Sequence, residues 1–187
     1  MPTSPSEADP AAASTAPPQV GDPSSWGPER SRTVSWHDPG PTALVGLQMS
    51  GLDYMRAMLD GELPSSPIAR LIGIDGGDVG EGWIEFRCVP DESTYNPLGI
   101  VHGGLMCTLL DSVAGCAVHT TLPAGVGYTS LEIKVSYLRM AHAGAELRAR
   151  GKVVKPGSRV AFAEAEILGP DDKLIATASS SFLIMRP

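Results

Sequence analysis

Cysteine is scarce in this chain: Cys88, Cys107 and Cys116 are the only three in 187 residues. So small and odd a number builds no disulfide framework, and a reducing, cytoplasmic compartment is expected, with the thiols acting as small buried hydrophobes. Basic residues are outnumbered, 14 Lys and Arg against 21 Asp and Glu, for a net charge of -7. Nucleic-acid binding needs a basic surface that displaces counterions from phosphates, so no nucleic acid is expected as a partner. No run approaches the roughly 20 apolar residues that span a bilayer. The N-terminus, MPTSPSEADPAAASTAPPQVGDPSS, has neither a basic start nor an apolar stretch. Neither membrane insertion nor export is indicated.

Several chemistries lack their motifs. His102 and His119 do not have zinc-site spacing, and His37 and His142 fall in a tail and a turn, so no metal is expected. The glycines match neither G-x-G-x-x-G nor the G-x-x-x-x-G-K-[ST] phosphate loop. Ser112 has no nucleophile-elbow context, and Cys107 and Cys116 have no placed base. Carboxylate chemistry, with no cofactor, is what remains.

The length fits one domain with additions. Residues 1–40 and Pro41 hold nine of the seventeen prolines among Ser, Ala and Thr. Such a composition buries too little apolar surface to offset ordering, which predicts a disordered tail over 1–40 and a folded domain over 41–187. Within 41–62, Leu44, Leu47, Met55, Met58 and Leu59 recur at helical spacing, with a break expected near Ser50–Gly51. The segment GEGWIEFRCVP alternates Ile84, Phe86 and Cys88 against Trp83, Glu85 and Arg87, which reads as a strand, with Gly76–Gly77 as the turn before it. Leu131, Ile133, Val135 and Tyr137 alternate likewise, and further strands follow from Ala145 to Lys155, after Pro156–Ser158, and after Gly169–Asp172.

Residues 103–120 predict a helix that is apolar nearly all round, with a narrow strip of Gly104, Thr108, Asp111, Ser112, Gly115 and His119. A sheet curled around this helix would bury it, giving an α+β fold with an antiparallel meander. Asp111 lies too deep in the helix to cap it or to feel its N-terminal dipole. It either faces solvent on the polar strip or serves a site, because burying an unpartnered carboxylate costs several kcal/mol. Gly103 and Gly104 open the helix with backbone N–H groups suited to a carbonyl or oxyanion, and the loop before them supplies Asn96 and His102. Seven Lys and Arg, including Lys134, Arg139, Lys155 and Arg159, fall between positions 134 and 159 with only Glu146 opposing them. They are either outward-facing strand positions or a patch for a phosphorylated ligand.

The text N-P-L-G-I-V-H-G-G-L-M-C-T-L-L-D-S-V-A-G, followed by T-S-L-E-I-K-V-S-Y-L-R, resembles the hotdog-fold acyl-CoA thioesterases of the PaaI-like, phenylacetate-degradation branch, with similar patterning from Thr42 to Ile184. The resemblance implies a five- or six-stranded antiparallel sheet around the helix, a homodimer or a homotetramer made of two dimers, and sites between subunits. It implies that Gly103 donates its N–H to a thioester carbonyl and that Asn96 and His102 orient the thioester. Asp111 of the facing subunit is then nucleophile or general base, and Ser130, with Thr129 as the other occupant, holds the water or the carboxylate. Acyl-CoA as substrate would use Gly104 near the carbonyl and Lys134, Arg139, Lys155 and Arg159 for the phosphates. Two other functions fit the residues less well: a hotdog enoyl-CoA hydratase or dehydratase, and a non-catalytic acyl-CoA binding module.

Overall fold

Polar caps set the N-terminal helices. In this computed structural model, which describes residues 17 and 19–186, helix α1 (Pro39–Gly46) begins where Asp38 Oδ1 accepts from Gly40 N–H at 2.9 Å. Helix α2 (Gly51–Leu59) begins where Ser50 Oγ accepts from Asp53 N–H at 3.2 Å. The break expected near Ser50–Gly51 is therefore an N-cap. A third helix, α3 (Pro67–Ile72), was not anticipated; its six residues are too few to show a helical period, yet Ser66 caps it and Gly73, at φ +79°, ends it in the left-handed region. The chain divides into two compact units between Thr33 and Val34. The expected tail over 1–40 lies partly outside the described residues; its described part holds a 3-10 turn at Pro23–Ser25, capped by Asp22, and the start of α1.

Six strands form one antiparallel sheet in the order β1-β2-β4-β5-β6-β3. They are β1 (Ile74–Gly80), β2 (Trp83–Cys88), β3 (Gly127–Tyr137), β4 (Leu147–Lys155), β5 (Val160–Leu168) and β6 (Leu174–Met185). The expected turn at Gly76–Gly77 is instead the interior of β1, and the turn falls at Glu81–Gly82. The glycines serve a register shift between Ile74 and Gly77: Gly76 has φ +78°, and a Cβ on Gly77 would lie 2.0 Å from Glu85 O.

The long helix α4 (Gly103–His119) lies on one face of this sheet, with Leu109, Leu110, Val113, Ala114, Ala117 and Val118 all fully buried. Small side chains on the strands let it approach. Gly151, Ala165 and Ala178 are direct cross-strand neighbours on β4, β5 and β6, and a Cβ on Gly151 would stand 2.1 Å from Val113 O. Phe86, Ile167 and Phe182 fill the space on either side, so the helix occupies a trough that the sheet curls around. This is the α+β hotdog architecture expected from the resemblance.

Candidate active site

The site grows from the first turn of α4. An α-helix leaves its first N–H groups without intrahelical acceptors. Here His102 is the N-cap: its Nδ1 accepts from Gly104 N–H at 2.8 Å, and its backbone carbonyl accepts from Leu105 N–H at 3.0 Å. Gly104 N–H is therefore occupied, which corrects the expectation that both glycines present free donors. Among the described residues no acceptor takes the Gly103 N–H. Because Nδ1 accepts, the neutral imidazole carries its proton on Nε2 and offers that N–H away from the helix.

Asn96 shapes the loop that delivers this turn. Its Oδ1 accepts from Leu98 N–H at 2.9 Å and Ile100 N–H at 3.5 Å, while its backbone N–H donates to Ile100 O at 2.8 Å. Val101 N–H donates to Ala141 O and His102 N–H to Thr94 O, which fixes the approach to Gly103. At the far side Tyr137 Oη donates to Gly103 O at 3.0 Å. The sequence reading assigned Tyr137 only to a strand face. Its signal was faint: one hydroxyl at the end of an otherwise apolar alternation.

Asp111 lies eight residues along the same helix, half-buried, and accepts a hydrogen bond from Ser130 Oγ at Oδ1, 2.8 Å away. Alternation counted back from Tyr137 is expected to favour Ser130 over Thr129, but strict alternation through Ile133 and Val135 would turn Ser130 to the other face of the sheet, so that reason is corrected. A bulge between Ser130 and Glu132 prevents that: Ser130 pairs with the fully buried Phe182, and the extra residue, Leu131, is left 54% exposed. Thr129 pairs with the partly exposed Leu183 on the opposite face, so Ser130 and not Thr129 meets the carboxylate within this chain. The other hydroxyls of the strip are engaged by their own helix, Thr108 with Gly104 O and Ser112 with Thr108 O.

Beyond Asp111 the strip closes. Tyr128 covers Gly115, where a Cβ would sit 2.7 Å from its ring, and His119 packs with tilted rings between Tyr54 and Tyr128 at 5.6 and 5.4 Å between centroids. Burial holds the His119 imidazole below its ordinary pKa and pushes the Cys116 thiol up to about 11. Neither group is charged at neutral pH.

The basic residues do not gather at one place within the chain. Arg139 donates to Leu174 O at the start of β6, whereas the Arg159 carbonyl accepts from Ile184 N–H near its end. Lys155 sits beside the Arg159 turn, and Lys134 lies midway along the edge strand β3 on the face away from α4. Arg150 and Lys152 pair across strands with Glu85 and Glu164, and Arg148 pairs with Asp172 in the turn between β5 and β6, so much of the basic stretch is outward-facing and neutralised by neighbouring carboxylates. Among the described residues no three His, Cys, Asp or Glu side chains are grouped to hold a metal, and no helix is long and apolar enough to cross a membrane.

Residues 98–176, which run from the loop through α4 into β6, match the thioesterase superfamily. A Halobacterium salinarum protein whose name proposes an esterase is 30% identical over 151 residues, covering 74% of this chain and 99% of its own length. The chain belongs to the thioesterase superfamily. A solved phenylacetic acid degradation-related protein of Ralstonia eutropha is similar to this thioesterase-family chain at 33% identity and a TM-score of 0.62, over 70% of this chain and 98% of that one. Mouse acyl-coenzyme A thioesterase 13 is 33% identical over 87 residues, 46% of this chain and 61% of the relative.

Proposed function

We propose that the protein hydrolyses the thioester of a small or medium acyl-CoA to the free acid and CoA, at a site assembled from two copies of the chain. The observation that carries this reading is the separation of its two essential groups. Asp111 and Gly103 are eight residues apart on one straight helix, about 12 Å at 1.5 Å per residue. A donor must come within about 3 Å of the developing oxyanion while the carboxylate acts at the same carbon. One chain cannot supply both to one carbonyl. Two copies joined along the free edge of β3, the end of the sheet order that carries Ser130 and Tyr137, bring the Asp111 of one toward the Gly103 of the other.

In that arrangement Gly103 N–H polarises the thioester carbonyl, and His102, through Nε2–H, and the Asn96 loop orient it. Asp111, held by Ser130, is the base that takes a proton from water or the nucleophile that attacks the carbonyl carbon. The C–S bond breaks, the acid departs with an oxygen from water, and the thiolate leaves to be protonated. No metal is called upon. Ser130 is in register through Phe182 with Ala161 at the start of β5, and Arg159, in the turn just before Ala161, and Lys155, at the end of β4 opposite Phe162, are the basic residues we assign to the CoA phosphates.

Thiol release across a panel of aromatic, branched and medium-chain acyl-CoAs tests the reading, run beside an enoyl-CoA hydration assay. Turnover of thioesters without hydration is the expected result. Hydration without thiol release would make the protein a hydratase, and tight acyl-CoA binding without either would make it a binding module.

A further inference from the structure

Two hydrogen bonds at the head of α4 grip one peptide group from both ends. His102 Nδ1 takes the N–H of Gly104, and Tyr137 Oη donates to the carbonyl of Gly103. Those two atoms belong to the same peptide plane, Gly103–Gly104. The ring of Tyr137 also lies on Gly103, where a Cβ would stand 3.2 Å from Cζ and 3.3 Å from Cε1.

We propose that Tyr137 is a positioning residue for hydrolysis: its hydroxyl and the His102 cap fix the Gly103–Gly104 peptide on one side of the Gly103 Cα, while Leu105 N–H holds the His102 carbonyl on the other, so that Gly103 N–H, in the His102–Gly103 peptide, stands aimed at the start of α4. The proposal rests on the thioesterase reading given above. Two successive glycines are a poor way to hold a donor still. Each is about 1 kcal/mol less favourable in a helix than alanine, and the first turn lacks the full set of intrahelical bonds that steadies later ones. An oxyanion donor that moves by about 1 Å loses most of its value, on the order of 100-fold in rate. Neither position has free room for a side chain, and at Gly104 there is none without losing the cap. A Cβ on Gly104 would meet His102 Nδ1 at 2.8 Å and break the cap, and one on Gly103 would press on Tyr137. The clamp supplies from outside the rigidity that the glycines give up.

The fold explains why Tyr137 can do this. It ends a cross-strand row that runs Phe86, Ala149, Ile167, Ala176, Tyr137. The first four members are buried and apolar. The row directs the Tyr137 ring toward the helix, and its hydroxyl reaches Gly103 O there. The same strand carries Ser130 to Asp111, so β3 sets both the acid and the oxyanion donor.

The test is Tyr137→Phe, which removes the hydroxyl and keeps the ring. Expected is a fall in kcat of about 10- to 100-fold, with KM within about twofold of wild type and Tm nearly unchanged. The second arm uses Gly103→Pro. Proline is tolerated at the first helical position, its Cβ asking the Tyr137 ring to give by only a few tenths of an ångström, and His102, at ψ 136°, already has the extended backbone that precedes proline. This variant deletes the Gly103 N–H, so Tyr137→Phe should cost nothing further in its background. An unchanged kcat in Tyr137→Phe, a loss that tracks Tm, or two losses that multiply would each overturn the proposal. Failure of the wild-type protein to release thiol from any acyl-CoA would instead remove the thioesterase reading beneath it.

Discussion

Ser130 Oγ stands 2.8 Å from Asp111 Oδ1, a hydrogen bond between β3 and α4 that ties an edge strand to the carboxylate of a buried helix. The bond exists because the chain bulges at Leu131 and turns Ser130 inward against Phe182. A hydroxyl donating to a carboxylate fixes its orientation and is worth on the order of 1.5 kcal/mol. Ser130→Ala should therefore lower kcat about tenfold while Asp111→Asn lowers it at least 100-fold, both with wild-type Tm. Steady-state thiol release and thermal melts check both. Full activity in Asp111→Asn would remove the acid from the mechanism.

Gly151 predicts a packing failure. Its missing side chain is what lets Val113 O of α4 come down onto β4. A methyl group there meets helix backbone, which cannot step aside as a side chain can. Gly151→Ala should destabilise the protein by about 3 kcal/mol, at the upper end of overpacking costs, measured by denaturant unfolding. Gly125→Ala, where nothing lies within 4 Å but φ is +78°, should cost only about 1 kcal/mol of backbone strain.

Much of this was legible in the sequence, for reasons that name the limits. Asp111 stood out because a carboxylate in an apolar helix is costly unless it is used. The helix itself was legible because its burial demands apolar residues on nearly every side. β1 was not, since IDGGDVG has no hydrophobic alternation and its glycines answer a bulge set by β2. The reason for Ser130 over Thr129 was not legible either: pairing with β6 decides it, and no local pattern records that bulge. The state of Gly104 was hidden because capping by His102 depends on a backbone angle, and Tyr137 was hidden because its partner is a carbonyl.

His119 gives a pH dependence of stability. Burial holds its folded-state pKa below the ordinary 6.5. The unfolded chain therefore binds this proton at higher pH than the native state does, and the stability due to neutral His119 is full above pH 6.5 and lost as the pH falls below it. The drop in Tm between pH 7.5 and pH 5.5 (roughly one unit either side of the free imidazole pKa) should be smaller in His119→Phe than in wild type. An equal drop in both would show that His119 is not held neutral.

The central claim is that Asp111 and Gly103 act on one carbonyl from two different chains. Co-expression of an Asp111→Asn chain with a Gly103→Pro chain, each lowered about 100-fold or more alone, tests it directly through thiol release by the mixed oligomer. If sites are shared, a mixed dimer contains one site with both groups intact, and random pairing restores about a quarter of wild-type activity. Activity no greater than the sum of the two separate variants would place both groups in one chain and contradict the account.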